Sequence, residues 1–139
     1  MRVTRRYRFA ASHRLHSTAL TQNENSELYG KCSNAYGHGH DYVLDVTAAG
    51  PVNALSGQVV HVPTLDRLVS EQVLNDFDHR YLNLDLGDFQ SLIPTSENII
   101  RVIEDRLAAR WRDAFPGEWP RLEGIRLRET KKNLFQLKS

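Results

Sequence analysis

The sequence predicts an α+β domain built on an antiparallel sheet. Residues 3–12 and 38–48 alternate apolar and polar side chains with the period of two that marks a half-buried strand. Two stretches beyond residue 63 carry apolar residues at helical spacing instead. The resulting order is strand, loop, strand, helix, helix, strand, strand. It lacks the strict alternation of a parallel α/β sheet.

In the first strand Val3, Tyr7, Phe9 and Ala11 share a face, and Thr4, Arg6 and Arg8 take the other. His13 falls on the apolar parity at the strand's end. Residues 16–37 are polar, with Asn23, Asn25, Gly30, Asn34 and Gly37, and read as a long loop, a kind of segment that is often functional. Cys32 lies near its end. In the second strand His38, His40, Tyr42, Leu44 and Val46 share one face; Asp41, Val43, Asp45 and Thr47 share the other. Gly50-Pro51 through Gly57 is turn chemistry, followed by the short apolar piece Val59-Val60. A helix is predicted from Pro63-Thr64, with Thr64 as N-cap and Leu65, Leu68, Val69, Gln72 and Val73 as its stripe. Asp78-His79-Arg80 follow as it ends. A second helix starts after Pro94, capped by Thr95 or Ser96, with Ile99, Ile103, Leu107 and Trp111 at its spacing. Pro116, Gly117 and Pro120 break the chain. Leu122–Glu129 and Leu134–Leu137 close it as a pair of strands.

Length and composition bound the partners. The 139 residues predict one domain, residues 1–139. With 18 basic and 17 acidic residues the net charge is +1, and no aromatic–basic interleaving occurs, which argues against a nucleic-acid module. No run approaches a membrane span, and Met1 to Arg6 lacks the apolar segment of a signal peptide. The single cysteine precludes an intrachain disulfide and suits the reducing cytoplasm.

The chemistry concentrates in the histidines. In a strand, side chains i and i+2 point the same way, so His38 and His40 can lean toward one cation while Gly39 keeps the other face small. The competing explanation is two histidines packed on a half-buried strand. Candidates for a third ligand are His13, His16, His61 and His79. His13 is favoured because it ends the apolar face of a strand able to pair with residues 38–48. Three imidazoles leave a coordination position open, the mark of a catalytic zinc site, and nothing in the chain suggests a redox metal. Cys32 is a fourth zinc ligand, a small buried hydrophobe or an acid–base group. A nearby cation or Lys31 would lower its thiol pKa. Asp78-His79 reads as a helix-end histidine on the dipole or as a carboxylate–imidazole couple. Glu129 continues the apolar parity of Glu123, Ile125 and Leu127, so it is paired, functional or reaching water at the strand end.

Together, Phe9-Ala-Ala-Ser-His13-Arg-Leu, Gly30-Lys-Cys32, Gly37-His38-Gly-His40-Asp-Tyr42, Asp78-His79, Leu82-Asn83, Pro94-Thr95-Ser96-Glu97-Asn98 and Glu129-Thr130 resemble the 6-pyruvoyl-tetrahydropterin synthase family in order and spacing. The resemblance implies a tunnelling fold: a four-stranded antiparallel sheet with two helices on one face. Chains of that fold assemble into a barrel, as a homohexamer of two trimers with active sites between subunits. It implies His13, His38 and His40 as zinc ligands, and Cys32, Asp78 and His79 as the catalytic acid–base groups. Glu129 is then the pterin anchor, with Thr95, Ser96 and Glu97 lining the pterin pocket. The implied reaction is lyase chemistry of tetrahydrobiopterin biosynthesis: 7,8-dihydroneopterin triphosphate becomes 6-pyruvoyl-tetrahydropterin with loss of triphosphate. Zn2+ is the implied cofactor, and Mg2+ is a candidate companion of the triphosphate. Arg8, Arg14 and Lys31 are candidates to bind that triphosphate.

A sister branch, 6-carboxy-5,6,7,8-tetrahydropterin synthase of the queuosine pathway, releases acetaldehyde instead. Its cysteine usually sits three residues before His-Gly-His, whereas five residues, Ser33 to Gly37, intervene here. That spacing, with Gly-Lys-Cys and the Glu129-to-Asn133 context, resembles the biopterin-type branch. Asp41 and His61 depart from residues common in the family. A non-catalytic zinc- and pterin-binding subunit is the remaining alternative, and intact Cys32, Asp78, His79 and Glu129 argue against it.

Overall fold

The computed structural model describes residues 1–139. Strands β1 (Arg2–His13) and β2 (His38–Ala49) form an antiparallel pair running from Arg2↔Ala49 to His13↔His38. β2 also pairs with β4 (Arg121–Glu129), and β4 pairs with β5 (Asn133–Lys138), both antiparallel. A two-residue strand, β3 (Arg80–Tyr81), lies parallel to β1 and makes the sheet order β3-β1-β2-β4-β5. The sheet thus has five strands rather than the expected four. The addition arises where Ala11 and Ser12 pair with Arg80 and Tyr81. A single chain leaves this sheet open at both edges, with no closed barrel.

Alternation places side chains as the sequence implies. Tyr7, Phe9, Ala11 and His13 of β1 and Tyr42, Leu44, Val46 and Ala48 of β2 are buried on one face. Helices α2 (Val62–Val69) and α5 (Ser96–Ala114) pack there, through Leu65, Leu68, Val69, Ile99, Ile103, Leu107 and Trp111. Burying a Leu, Ile or Phe side chain contributes about 1.5–3 kcal/mol, so this face dominates the stability of the fold. The opposite face is polar. Its one buried charge, Asp45, is bracketed by Arg6 (2.8 and 3.1 Å) and Arg126 (3.0 Å), tying β1, β2 and β4 together.

Four details depart from the sequence expectation. The loop at 16–37 contains a helix, α1 (Gln22–Tyr29), started by a reciprocal capping box between Thr21 and Glu24. The helix expected at Thr64 starts at Val62 with His61 at its N-cap position. Pro63 fills an early position that needs no N–H donor, and Thr64 instead bonds His61 Nδ1 at 2.8 Å. That helix continues through a π turn, Ser70–Leu74, into the short α3 (Asn75–Phe77), and α4 (Leu82–Asp85) follows β3. Finally, a bulge between Thr47 and Ala48 shifts β4's register, so Glu123 leaves the apolar parity and pairs with Arg2, while Ile125 and Leu127 stay in the core.

Candidate metal centre

The β1–β2 register sets the site. His13 lies opposite His38, and His40 lies opposite Ala11, one step along the same face. The His13 and His40 rings meet edge-on with centroids 4.7 Å apart. Cys32 is brought to them by a 3-10 turn, Gly30–Ser33, which follows α1 directly. That turn is docked on the end of β1: the Leu15 N–H donates to the Cys32 carbonyl at 2.7 Å, and Arg14 Nε donates to the Ser33 carbonyl at 3.2 Å. The Cys32 sulfur then sits 3.5 Å from His40 Nε2. One ligand atom each from His13, Cys32 and His40 falls within a 4.8 Å span.

His13 supplies the observation that fits a metal. It is fully buried, and its Nδ1–H donates to the Pro94 carbonyl at 2.8 Å. Its Nε2 has no hydrogen-bond partner. A buried ring nitrogen without a partner is costly. A ring pinned at Nδ1 by a backbone carbonyl and offering a bare Nε2 lone pair is how metal-ligating histidines are oriented. The soft thiol and two imidazoles are a zinc-type donor set. Burial pushes the pKa of both His13 and His40 down, keeping the imidazoles in the neutral, ligating form. No second such group converges elsewhere, so Mg2+ gains no residue set from the structure.

The cluster differs from the expected set in one member. His38 meets the His40 ring edge-on at 4.8 Å, yet its nitrogens fall outside the group, and Cys32 takes the third place. The thiol also departs from expectation. Burial, and then the Glu129 carboxylate, push the Cys32 pKa up; Lys31 does not bring it down. A cation at the His13–His40 corner would reverse that direction.

Glu129 ends β4 directly opposite Tyr42. Its Oε1 lies 3.7 Å from His40 Nε2, and its Oε2 accepts a hydrogen bond from the Ser96 hydroxyl. Ser96 is buried at the first turn of α5, while Thr95 caps that helix by accepting from the Asn98 N–H at 3.2 Å. Glu97 is exposed and without a partner in the chain. The Tyr42 hydroxyl is buried against the Glu129 carboxylate and beside Cys32, with no hydrogen bond of standard geometry; burial first, then the Glu129 carboxylate, push its pKa up. The sequence pattern puts Tyr42 on the face of His38 and His40, two residues after His40, but gives its hydroxyl no role.

Asp78 and His79 lie elsewhere. Asp78 Oδ1 accepts from the Ala10 N–H at 2.9 Å, and the His79 N–H donates to the Ala10 carbonyl at 2.6 Å. His79 has φ +59° and its ring is exposed, 3.6 Å from Asp78. His79, without Asp78, lines a cleft with Ala10, Ser12, Gly39 and Asp41, whose parity is opposite to that of His13, and His40 reaches the same cleft. Within one chain neither Asp78 nor His79 joins the His13–Cys32–His40 group. His16 bonds Arg14 at 3.4 Å and His61 bonds Thr64; neither joins the cluster.

Comparison with known proteins agrees with this architecture. The family model described as 6-pyruvoyl tetrahydropterin synthase matches residues 2–139. A 6-pyruvoyl tetrahydrobiopterin synthase of Poecilia reticulata is 38% identical over 132 residues, covering 95% of this chain and 86% of the relative. A 6-carboxy-5,6,7,8-tetrahydropterin synthase of Bacillus subtilis is 34% identical over 87 residues, covering only 60% of this chain and 55% of that protein. The solved structure of Caenorhabditis elegans 6-pyruvoyl tetrahydropterin synthase superposes with a TM-score of 0.87 at 36% identity, covering 100% of this chain and 95% of that one. Fold, histidine corner and near-complete coverage coincide, and the chain belongs to the 6-pyruvoyl tetrahydropterin synthase family, on its biopterin-type side.

Proposed function

We propose that this chain converts 7,8-dihydroneopterin triphosphate to 6-pyruvoyl-tetrahydropterin with loss of triphosphate. The observation that carries the reading is the bare, buried Nε2 of His13 facing His40 and Cys32, with Glu129 beside them. His13 and His40 would hold Zn2+, with His38 or Cys32 completing the set. Bound there, the metal supplies Lewis-acid polarisation of substrate oxygens. Glu129, fixed by the Ser96 hydroxyl, accepts N–H groups of the pterin and sets its orientation. Cys32 Sγ exchanges a proton with the substrate's side-chain carbon.

The Asp78–His79 couple serves the opposite side of the substrate. Its place outside the His13–Cys32–His40 group within one chain supports a site completed by a neighbouring subunit, and so a homo-oligomer. Arg8, Arg14 and Lys31 are the cations proposed for the triphosphate. No helix is long and apolar enough to cross a membrane; the cytoplasm is proposed on the single free thiol, which suits a reducing compartment.

The test is incubation of purified, zinc-loaded protein with 7,8-dihydroneopterin triphosphate, with the pterin product identified by mass spectrometry. Cys32→Ala and zinc-stripped protein run alongside. The 6-pyruvoyl product, lost in both controls, is expected. A 6-carboxy product with acetaldehyde would overturn the biopterin assignment, and no turnover by metal-loaded protein would overturn the enzyme reading.

A further inference from the structure

His13 is held at Nδ1 by a backbone carbonyl; His40 is held at the same atom by a side chain. Thr130 Oγ1 lies 3.3 Å from His40 Nδ1. The other ring nitrogen of His40 faces the Cys32 sulfur at 3.5 Å and Glu129 Oε1 at 3.7 Å. Thr130 occupies the tight connection after Glu129, which pairs with Asn133 across the β4–β5 hairpin. There it has φ +57°. For a β-branched residue this left-handed conformation is an outlier, and glycine or asparagine would adopt it with less strain. The strain is imposed from both sides. The Tyr42↔Glu129 register sets Thr130 over His40, and the Thr130 N–H donates to the Asp41 carbonyl at 3.0 Å.

We infer that Thr130 is a positioning residue for the metal. Its hydroxyl accepts the His40 Nδ1–H, fixing the ring's rotation and tautomer, so that the Nε2 lone pair is presented to the corner shared with His13 and Cys32. The side-chain oxygen does for His40 what the Pro94 carbonyl does for His13. Strain kept at a functional corner is explained by what the strained residue holds in place. The inference rests on the metal reading above.

Three substitutions separate this role from that of a turn residue. Thr130→Val keeps the β-branch and the strained backbone but removes the acceptor. Thr130→Gly removes both, and Thr130→Ser keeps the hydroxyl. Metal-free proteins are titrated with Zn2+ against a chromophoric chelator, and their urea unfolding and His40 imidazole 15N shifts are recorded. Val and Gly are expected to bind Zn2+ about 10–100-fold more weakly, the usual cost of losing an outer partner of a ligating histidine, while Ser binds like the wild type. The metal-free Gly variant unfolds at higher urea than Val, because the strain is gone. In Val the Nδ1–H tautomer of His40 loses population. Wild-type affinity in Thr130→Val, with the wild type itself binding Zn2+, overturns the inference alone. A wild type that takes up no Zn2+ overturns the metal reading, and this inference with it.

Discussion

Two glycines flank His38, and the structure gives them opposite sensitivities. A Cβ on Gly37 would lie 3.0 Å from the His13 carbonyl oxygen and 3.0 Å from Tyr81 Cε1, at φ +80°. The Tyr81 ring can turn aside. The His13 carbonyl cannot, because His13 is locked into register with His38. A left-handed alanine costs about 1–2 kcal/mol. Overpacking against fixed atoms adds about 1–3 kcal/mol. Gly37→Ala should therefore destabilise the protein by about 2–5 kcal/mol. Gly39 has no atom within 4 Å of its virtual Cβ and no positive φ. Gly39→Ala should be neutral or stabilising by about 0.5–1 kcal/mol, since a strand glycine sacrifices more backbone entropy on folding. Urea unfolding of the metal-free proteins reads this directly. With a slope of about 1–3 kcal/mol/M, the Gly37→Ala midpoint should fall by at least about 0.7 M, while Gly39→Ala holds or rises. Because any relief of the clash has to distort the His13–His38 register, Gly37→Ala should also weaken Zn2+ binding. Equal midpoints for the two variants would refute the geometric reasoning.

Three further outcomes follow from single contacts. Asp45→Asn strands Arg6 and Arg126 and should cost about 1–2 kcal/mol at neutral pH, less than a fully buried pair because both guanidiniums are partly exposed. Hydrogen bonds from Arg6 hold the Asp45 carboxyl below its ordinary value. Its stabilisation is therefore complete above about pH 4 and lost as pH falls through the folded value. The wild-type-to-variant gap in urea unfolding should close on acidification, and an unchanged gap at pH 3 contradicts this. Tyr42→Phe removes a buried hydroxyl that lies against the Glu129 carboxylate without a hydrogen bond of standard geometry, so thermal stability should stay within about 1 kcal/mol of the wild type; a larger loss would contradict that weak coupling. Ser96→Ala takes the donor from Glu129 and should weaken binding of a non-reactive pterin about tenfold or more by calorimetry, given about 1.5–3 kcal/mol for a bond to a charged group. Unchanged affinity would remove Glu129's orientation from the account.

What the sequence disclosed and what it hid divide along physical lines. The period-two faces of β1 and β2 placed His13, His38 and His40 on one side of one sheet, because strand alternation is a local property. Thr95 as an N-cap was equally local. Helix α1 was also legible, since Thr21-x-x-Glu24 spells a capping box, but the surrounding polarity hid it. The bulge at Thr47/Ala48, which turns Glu123 out to Arg2, depends on two strands distant in sequence and has no local signature. The same is true of β3 and of the Asp78–His79 docking onto Ala10. The approach of Cys32 to His13 and His40 depends on how the turn after α1 packs on Leu15 and Arg14. The spacing of Cys32 from His38 fixes no such distance.

The most direct test of the metal centre is Co2+ uptake by the metal-free protein, followed by optical absorption. Stoichiometric binding with intense d–d bands is expected. A thiolate-to-cobalt charge-transfer band that vanishes in Cys32→Ser assigns the third place to Cys32, and its absence assigns it to His38; in either case the spectrum should collapse in His13→Ala. A wild type that binds no Co2+, or a spectrum that His13→Ala leaves intact, would contradict the assignment of the bare His13 Nε2 as a metal ligand.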